Sequence, residues 1–143
     1  MTDAPTSGEA PASSAPSAFF SLKVCHPAVP EAVPTLRHAA ADFAAEHGAD
    51  TDLCGDIALA VSEAVTNAVK HSRAHEAEQV RLTAVVADDW LEIRVADRGT
   101  GFGLAESDGL GLGLPTIARL AAQLTISQEG LGTELRMRFP LPR

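Results

Sequence analysis

The 143-residue sequence predicts an α/β two-layer sandwich: a mostly antiparallel mixed sheet of about five strands with three helices on one face. Three observations predict it. Residues 80–97 alternate apolar and polar around Asp88-Asp89, the pattern of a two-stranded hairpin. Residues 52–72 carry apolar side chains at helical spacing instead. Both periods recur along one chain that is 45% hydrophobic, enough for one domain with one core.

Residues 1–18 hold five Ala, four Ser and three Pro. Such a segment buries too little apolar surface to offset its ordering entropy, so it is expected to be a disordered tail before a domain over residues 19–143. Phe19 to Cys25 reads as a first strand at a sheet edge. Pro27, Pro30 and Pro34 follow. A helix then runs from about Glu31 or Thr35 to His47, since proline is tolerated in a first turn, and Gly48 is its stop. Asp50, Thr51 and Asp52 offer N-caps for a second helix from about Asp52 to Ser72.

On that helix Val61, Ala64, Val65 and Ala68 fall on the side of Ile57, and Glu63, Asn67 and Lys70 gather nearly opposite. Glu63 and Asn67, four apart, are neighbours on one face. Glu63 could act as a base. Asn67 offers a neutral oxygen suited to a hard cation such as Mg2+. The competing expectation is a plain solvated helix face.

Val80, Leu82, Ala84 and Val86 alternate with Arg81 and Thr83, and Leu91, Ile93 and Val95 with Glu92 and Arg94. Continuing this parity puts Asp97 on the core side at a strand end. A carboxylate there is costly unless something hydrogen-bonds it; alternatively the strand ends and Asp97 turns to solvent. Asp97-Arg98-Gly99-Thr100-Gly101 opens a loop, and Gly109-Leu110-Gly111-Leu112-Gly113-Leu114 leads to Pro115, the first turn of a helix to about Gln123. Glycines before a helix N-terminus suit a phosphate, which free N–H groups and the helix dipole attract. The spacing is not the Rossmann fingerprint, and the chain has no Gly-Lys-Ser/Thr P-loop. Leu124 to Gln128 reads as a strand and Gly130-Leu131-Gly132 as a turn. Thr133, Leu135, Met137 and Phe139 then form the inward set of a last strand, so Thr133 also points to the core face, where its hydroxyl bonds locally or touches a ligand.

The formal net charge is −8. This argues against a sequence-independent grip on nucleic acid, which needs a basic surface, and favours a small-molecule or protein partner. No apolar run approaches the roughly 20 residues of a membrane span, and no secretory signal is visible, so a cytoplasmic protein is expected. Cys25 and Cys54 form no metal or redox spacing and are expected to be small buried hydrophobes. The five histidines show no ligand spacing either.

Taken together, these segments closely resemble the GHKL (histidine-kinase-type, Bergerat) ATP-binding fold, and within it the small anti-sigma factor serine kinases. The resemblance covers about residues 19–140. Glu63-Ala-Val-Thr-Asn67-Ala matches the N box, Asp97-x-Gly99-x-Gly101 the first glycine box, Gly109-x-Gly111-x-Gly113 the second, and Gly132-Thr133 the final Gly-Thr element. Each is weak alone; four in order and spacing are strong. The resemblance implies ATP and Mg2+ as cofactors. Asn67 would coordinate the Mg2+ that bridges the phosphates. Asp97, aided by Gly101 and Thr133, would accept the adenine amino hydrogen bond, and residues 102–114 would form the lid and phosphate loop. Glu63 would be the general base toward a serine or threonine hydroxyl. The implied partners are a sigma factor and an anti-sigma-factor antagonist protein, and the implied assembly is a homodimer.

One departure stands out. Only Phe102 to Asp108 separate the glycine boxes, and they contain two acids, Glu106 and Asp108, and no base. Longer lids in the family bring cations to the phosphates; here Lys70 and Arg98 are the nearby candidates by sequence. This motivates an alternative, a nucleotide-responsive binding module without phosphoryl transfer. A histidine-kinase-type catalytic domain acting on a partner in trans is a further alternative. The chain shows no long dimerisation helix pair with an acceptor histidine, and His38 is expected to face solvent.

Overall fold

A computed structural model describes residues 19–71, 78–97, 113–129 and 132–142. The elements run β1 (Phe19–Pro27), α1 (Ala32–Glu46), α2 (Thr51–His71), β2 (Gln79–Ala87), β3 (Trp90–Asp97), α3 (Gly113–Leu120), β4 (Gln123–Glu129) and β5 (Gly132–Pro140). The five strands form one sheet in the order β1-β2-β3-β5-β4, and each of the four pairings is antiparallel. The expected two-layer α/β fold is therefore observed, with an antiparallel rather than a mixed sheet. The reason is connectivity: β2–β3 and β4–β5 are consecutive strands that return antiparallel, β1 reaches β2 through two helices, and β5 lies between β3 and β4, so these two never pair.

Alternation decides which sheet face is covered. Val80, Leu82, Ala84 and Val86 of β2, Leu91, Ile93 and Val95 of β3, and Leu135, Met137 and Phe139 of β5 are all buried. Facing them are Leu36, Ala40, Phe43 and Ala44 of α1, Ile57, Ala60, Val61, Ala64, Val65 and Ala68 of α2, and Ile117 of α3. The small residues of α2 allow a central helix to lie close to the sheet while α1 and α3 pack along it.

Local chemistry sets the helix ends. Pro34 sits in the first turn of α1, where its missing N–H costs nothing. At the other end Gly48 adopts φ +107°, its N–H donates to the Ala45 carbonyl, and that of Ala49 donates to the Ala44 carbonyl. This is the Schellman arrangement, which needs a residue tolerant of positive φ. Helix α2 is capped by Asp50, whose Oδ1 accepts from the Leu53 N–H at 2.8 Å. In the β2–β3 turn Asp88 takes the left-handed conformation (φ 57°) that aspartate tolerates. After Pro140 the chain leaves the sheet, and the Leu141 N–H donates to the Asp89 carbonyl at 2.7 Å, pinning the last residues to the hairpin tip.

The two cysteines are not a buried pair. Cys25 is exposed and Cys54 half-buried. Cys25 shares the outward parity of β1 with Ser21 and Lys23, all three exposed, so its position on the strand overrides its hydrophobicity. No described helix is long and apolar enough to cross a membrane.

Candidate functional site

Among the described residues, three polar side chains are buried: Asn67 at 8% exposure, Asp97 at 5% and Thr133 at 2%. The sequence singles out all three as ligand-binding candidates. Asp97 ends β3 and Thr133 begins β5, and the two are register partners across the β3–β5 pairing. Each continues the inward parity of its strand, Leu91-Ile93-Val95-Asp97 and Thr133-Leu135-Met137-Phe139. The hydrocarbon face of the sheet thus ends in a carboxylate and a hydroxyl side by side. Asp97 does not turn out to solvent as the alternative had it, and its Oδ2 is buried. Thr133 Oγ1 lies 3.5 Å from Gln128 Nε2 of β4, a long donor contact from the neighbouring strand.

Asn67 stands on α2, the helix that packs against β3 and β2 on one side and against α1 and α3 on others. The sequence expectation groups Asn67 with Glu63 and Lys70, nearly opposite the core stripe; at roughly 100° per residue it lies only about 80° from Ile57, beside buried Ala60, and the structure buries it. Asn67 therefore borders the core stripe, and α2 lies between two other helices, so the buried arc extends to it. The polar line then grades outward: Asn67 buried, Glu63 half-buried, Lys70 exposed. The plain solvated-face expectation holds for Lys70 and fails for Asn67. Next to Glu63, Ser62 Oγ accepts a 3.4 Å bond from Arg37 Nη1 of α1. Neither Arg37 nor Gln128 was singled out by the sequence. Each reaches its partner from a different element, and no motif marks such contacts.

Gly113 is the first residue of α3, and Pro115 lies in its first turn. The helix N-terminus that a phosphate cradle requires therefore follows the second glycine segment in the chain. Gly99, Gly101, Gly109, Leu110, Gly111 and Leu112, and the cation candidate Arg98, lie outside the described residues.

The donor chemistry fits a nucleotide with its metal. A buried carboxylate and hydroxyl suit the hydrogen-bonding edge of a purine. A single neutral carboxamide oxygen suits Mg2+, which fills its other positions with water and phosphate oxygens.

Comparison with known proteins agrees. Residues 26–139 match the family described as Histidine kinase-like ATPase domain. The chain belongs to that family of ATP-using domains. Within it, the sequence is similar to proteins named Serine-protein kinase RsbW. It is 38% identical over 115 residues to that of Bacillus licheniformis, covering 80% of this chain and 70% of that protein. It is 38% identical over 79 residues to that of Listeria monocytogenes, 54% of this chain and 50% of that protein, so the match spans half of that relative's length. A crystal structure of the RsbU and RsbW domains of a Mycobacterium tuberculosis protein superposes with TM-score 0.71 at 28% identity, over 87% of this chain and 33% of that one.

Proposed function

We propose that this protein is an ATP-binding anti-sigma factor of the cytoplasm that phosphorylates a serine or threonine of a small antagonist protein. The observation that carries this reading is the burial of Asn67, Asp97 and Thr133, three polar groups in an otherwise hydrocarbon core. A fold tolerates such groups when they are hydrogen-bonded or serve a ligand. These three occupy the positions where the GHKL motifs have their nucleotide ligands. Similarity to serine-protein kinases narrows the acceptor to a hydroxyl.

In this reading Asp97 and Thr133 hold the adenine, and Gly99, Gly101 and residues 109–113 line the phosphates. The Asn67 carboxamide holds Mg2+, which when bound neutralises phosphate charge. Phosphoryl transfer asks mostly for positioning and charge stabilisation. The remaining chemical task is removal of the acceptor's hydroxyl proton. Glu63 is half-buried one helical turn before Asn67 and is the group placed for it. The test is incubation with labelled ATP, Mg2+ and candidate antagonists. Transfer by the wild type that is lost in Glu63→Ala supports the reading. Undiminished transfer by that variant, or none by the wild type, counts against it.

A second reading, an ATP-responsive capture module without transfer, is favoured by the short segment between the glycine boxes, seven residues with two acids and no base. Nucleotide binding with ATP-dependent partner capture but no turnover would select it.

A further inference from the structure

The sheet face turned away from the helices is basic, although the chain as a whole carries −8. Its outward residues fall into rows set by the strand register. One row runs Lys23, Thr83, Arg94, Arg136, Thr125, and the next Ser21, Val85, Glu92, Arg138, Gln123. Arg81 and Glu134 flank them. By strand register Glu129 shares this face as well, so five cations share it with three acids, Glu92, Glu129 and Glu134. The helical layer on the other side exposes Asp42, Glu46, Asp50, Asp52 and Asp56.

The arginines are held in place. Glu92 is the hub, with Arg94 Nη2 at 2.7 Å and the Nε atoms of Arg136 and Arg138 each at 3.8 Å. Glu134 Oε2 also reaches Arg94 Nη1 at 4.0 Å, so two carboxylates among three guanidinium groups leave an excess of one positive charge. Arg94 and Arg136 stand directly opposite each other, a like-charge pairing that weakens a sheet. The Nε atoms of Arg136 and Arg138 are buried and find no hydrogen-bond acceptor among the described residues. Arg138 also lies over the Trp90 ring, 4.4 Å from its centroid, which stiffens it. Stiffened arginine beside tryptophan is the composition of an interface hot spot.

We propose that this face docks an acidic segment of a partner protein, whose carboxylates complete the coordination of Arg94, Arg136 and Arg138. The charge pattern selects that occupant. Glu92 and Glu134 interrupt the cations, and the rest of the chain repels a polyanion, so a nucleic acid is poorly matched. Two copies stacked face to face would oppose like charge. A copy offering its acidic helical layer would make a heterologous, head-to-tail contact rather than a two-fold one.

The test is anisotropy of a fluorescein-labelled oligo-glutamate peptide titrated with the full chain, with ATP binding measured alongside. Wild type should bind the peptide in a salt-sensitive manner. The charge reversals Arg94→Glu and Arg136→Glu together should weaken it by at least about tenfold, roughly 1.4 kcal/mol, and leave ATP binding unchanged. Lys23→Glu with Arg81→Glu, outside the Glu92 cluster, should also weaken it, and answers the question if the first variant fails to fold. No peptide binding by the wild type overturns the proposal. So does tighter binding of an oligodeoxynucleotide of equal length. Sedimentation showing that the reversals abolish self-association, with no peptide binding, would also overturn it, in favour of a second copy.

Discussion

Asp97 and Thr133 face one another at the end of the β3–β5 pairing, both buried on a sheet face that is otherwise hydrocarbon. Two polar side chains at one rung are costly to fold around unless something uses their hydrogen-bonding capacity. In the function proposed above that use is the purine. The pairing also makes the two residues interdependent, because a slip of one residue in β5 would turn Thr133 outward.

Replacing Asp97 by Asn keeps the shape but removes the charge. A hydrogen bond to a charged group contributes about 1.5–3 kcal/mol. Calorimetric titration with ATP and Mg2+ should therefore show at least a tenfold rise in Kd, while the variant still melts cooperatively.

Glu63→Ala should separate binding from transfer. Glu63 is half-buried on α2 and belongs to the polar line rather than the core stripe, so its loss leaves the fold intact. Phosphoryl transfer should fall by about 10²–10⁴, the usual contribution of a general base, with ATP affinity unchanged. Single-turnover assays beside equilibrium binding would check this.

The junction of α1 and α2 tests two local rules at once. Gly48→Ala meets no atom within 4 Å, so its cost comes only from φ +107° and should be about 1–2 kcal/mol. Asp50→Ala removes the cap of α2 and should cost about 0.5–2 kcal/mol. Urea unfolding should show both as lower midpoints with unchanged slope.

In the core, Ile93→Ala on the central strand β3 removes a side chain with no solvent exposure. Such truncations cost about 2–5 kcal/mol, and urea unfolding should report a loss in that range.

The cysteines should differ in alkylation by iodoacetamide. Cys25 is exposed and should react first. The Cys54 thiol is pushed up from its ordinary value of 9.0, first by burial and then by the charges of Asp50 and Asp42. It also donates weakly to the Ala41 and Ala49 carbonyls. Because the folded state holds that proton more tightly, the associated stability is present below the ordinary thiol value. It declines as pH climbs past that value, where only the unfolded chain ionises. Thermal melts of wild type and Cys54→Ser across alkaline pH should diverge in that sense.

Most of the architecture, and the inward placement of Asp97 and Thr133, could be read before any coordinates. Alternation at period two names the buried side of β2, β3 and β5, and it carries Asp97 and Thr133 inward because nothing local to them breaks the strand. Gly48 and Asp50 mark the α1–α2 boundary through chemistry confined to a few neighbouring residues. The burial expected for Cys25 failed because residue type was trusted over strand parity.

What the sequence by itself determined is therefore whatever depends on neighbours along the chain: periodicity, caps, turns and motif order. Tertiary structure decided that the buried arc of α2 reaches Asn67 at the edge of its core stripe, with α1 and α3 packed along that helix. It alone set Gln128 against Thr133 and gathered Arg94, Arg136 and Arg138 around Glu92. Those relationships depend on which strand lies beside which, and strand order is settled by how a whole sheet buries its face.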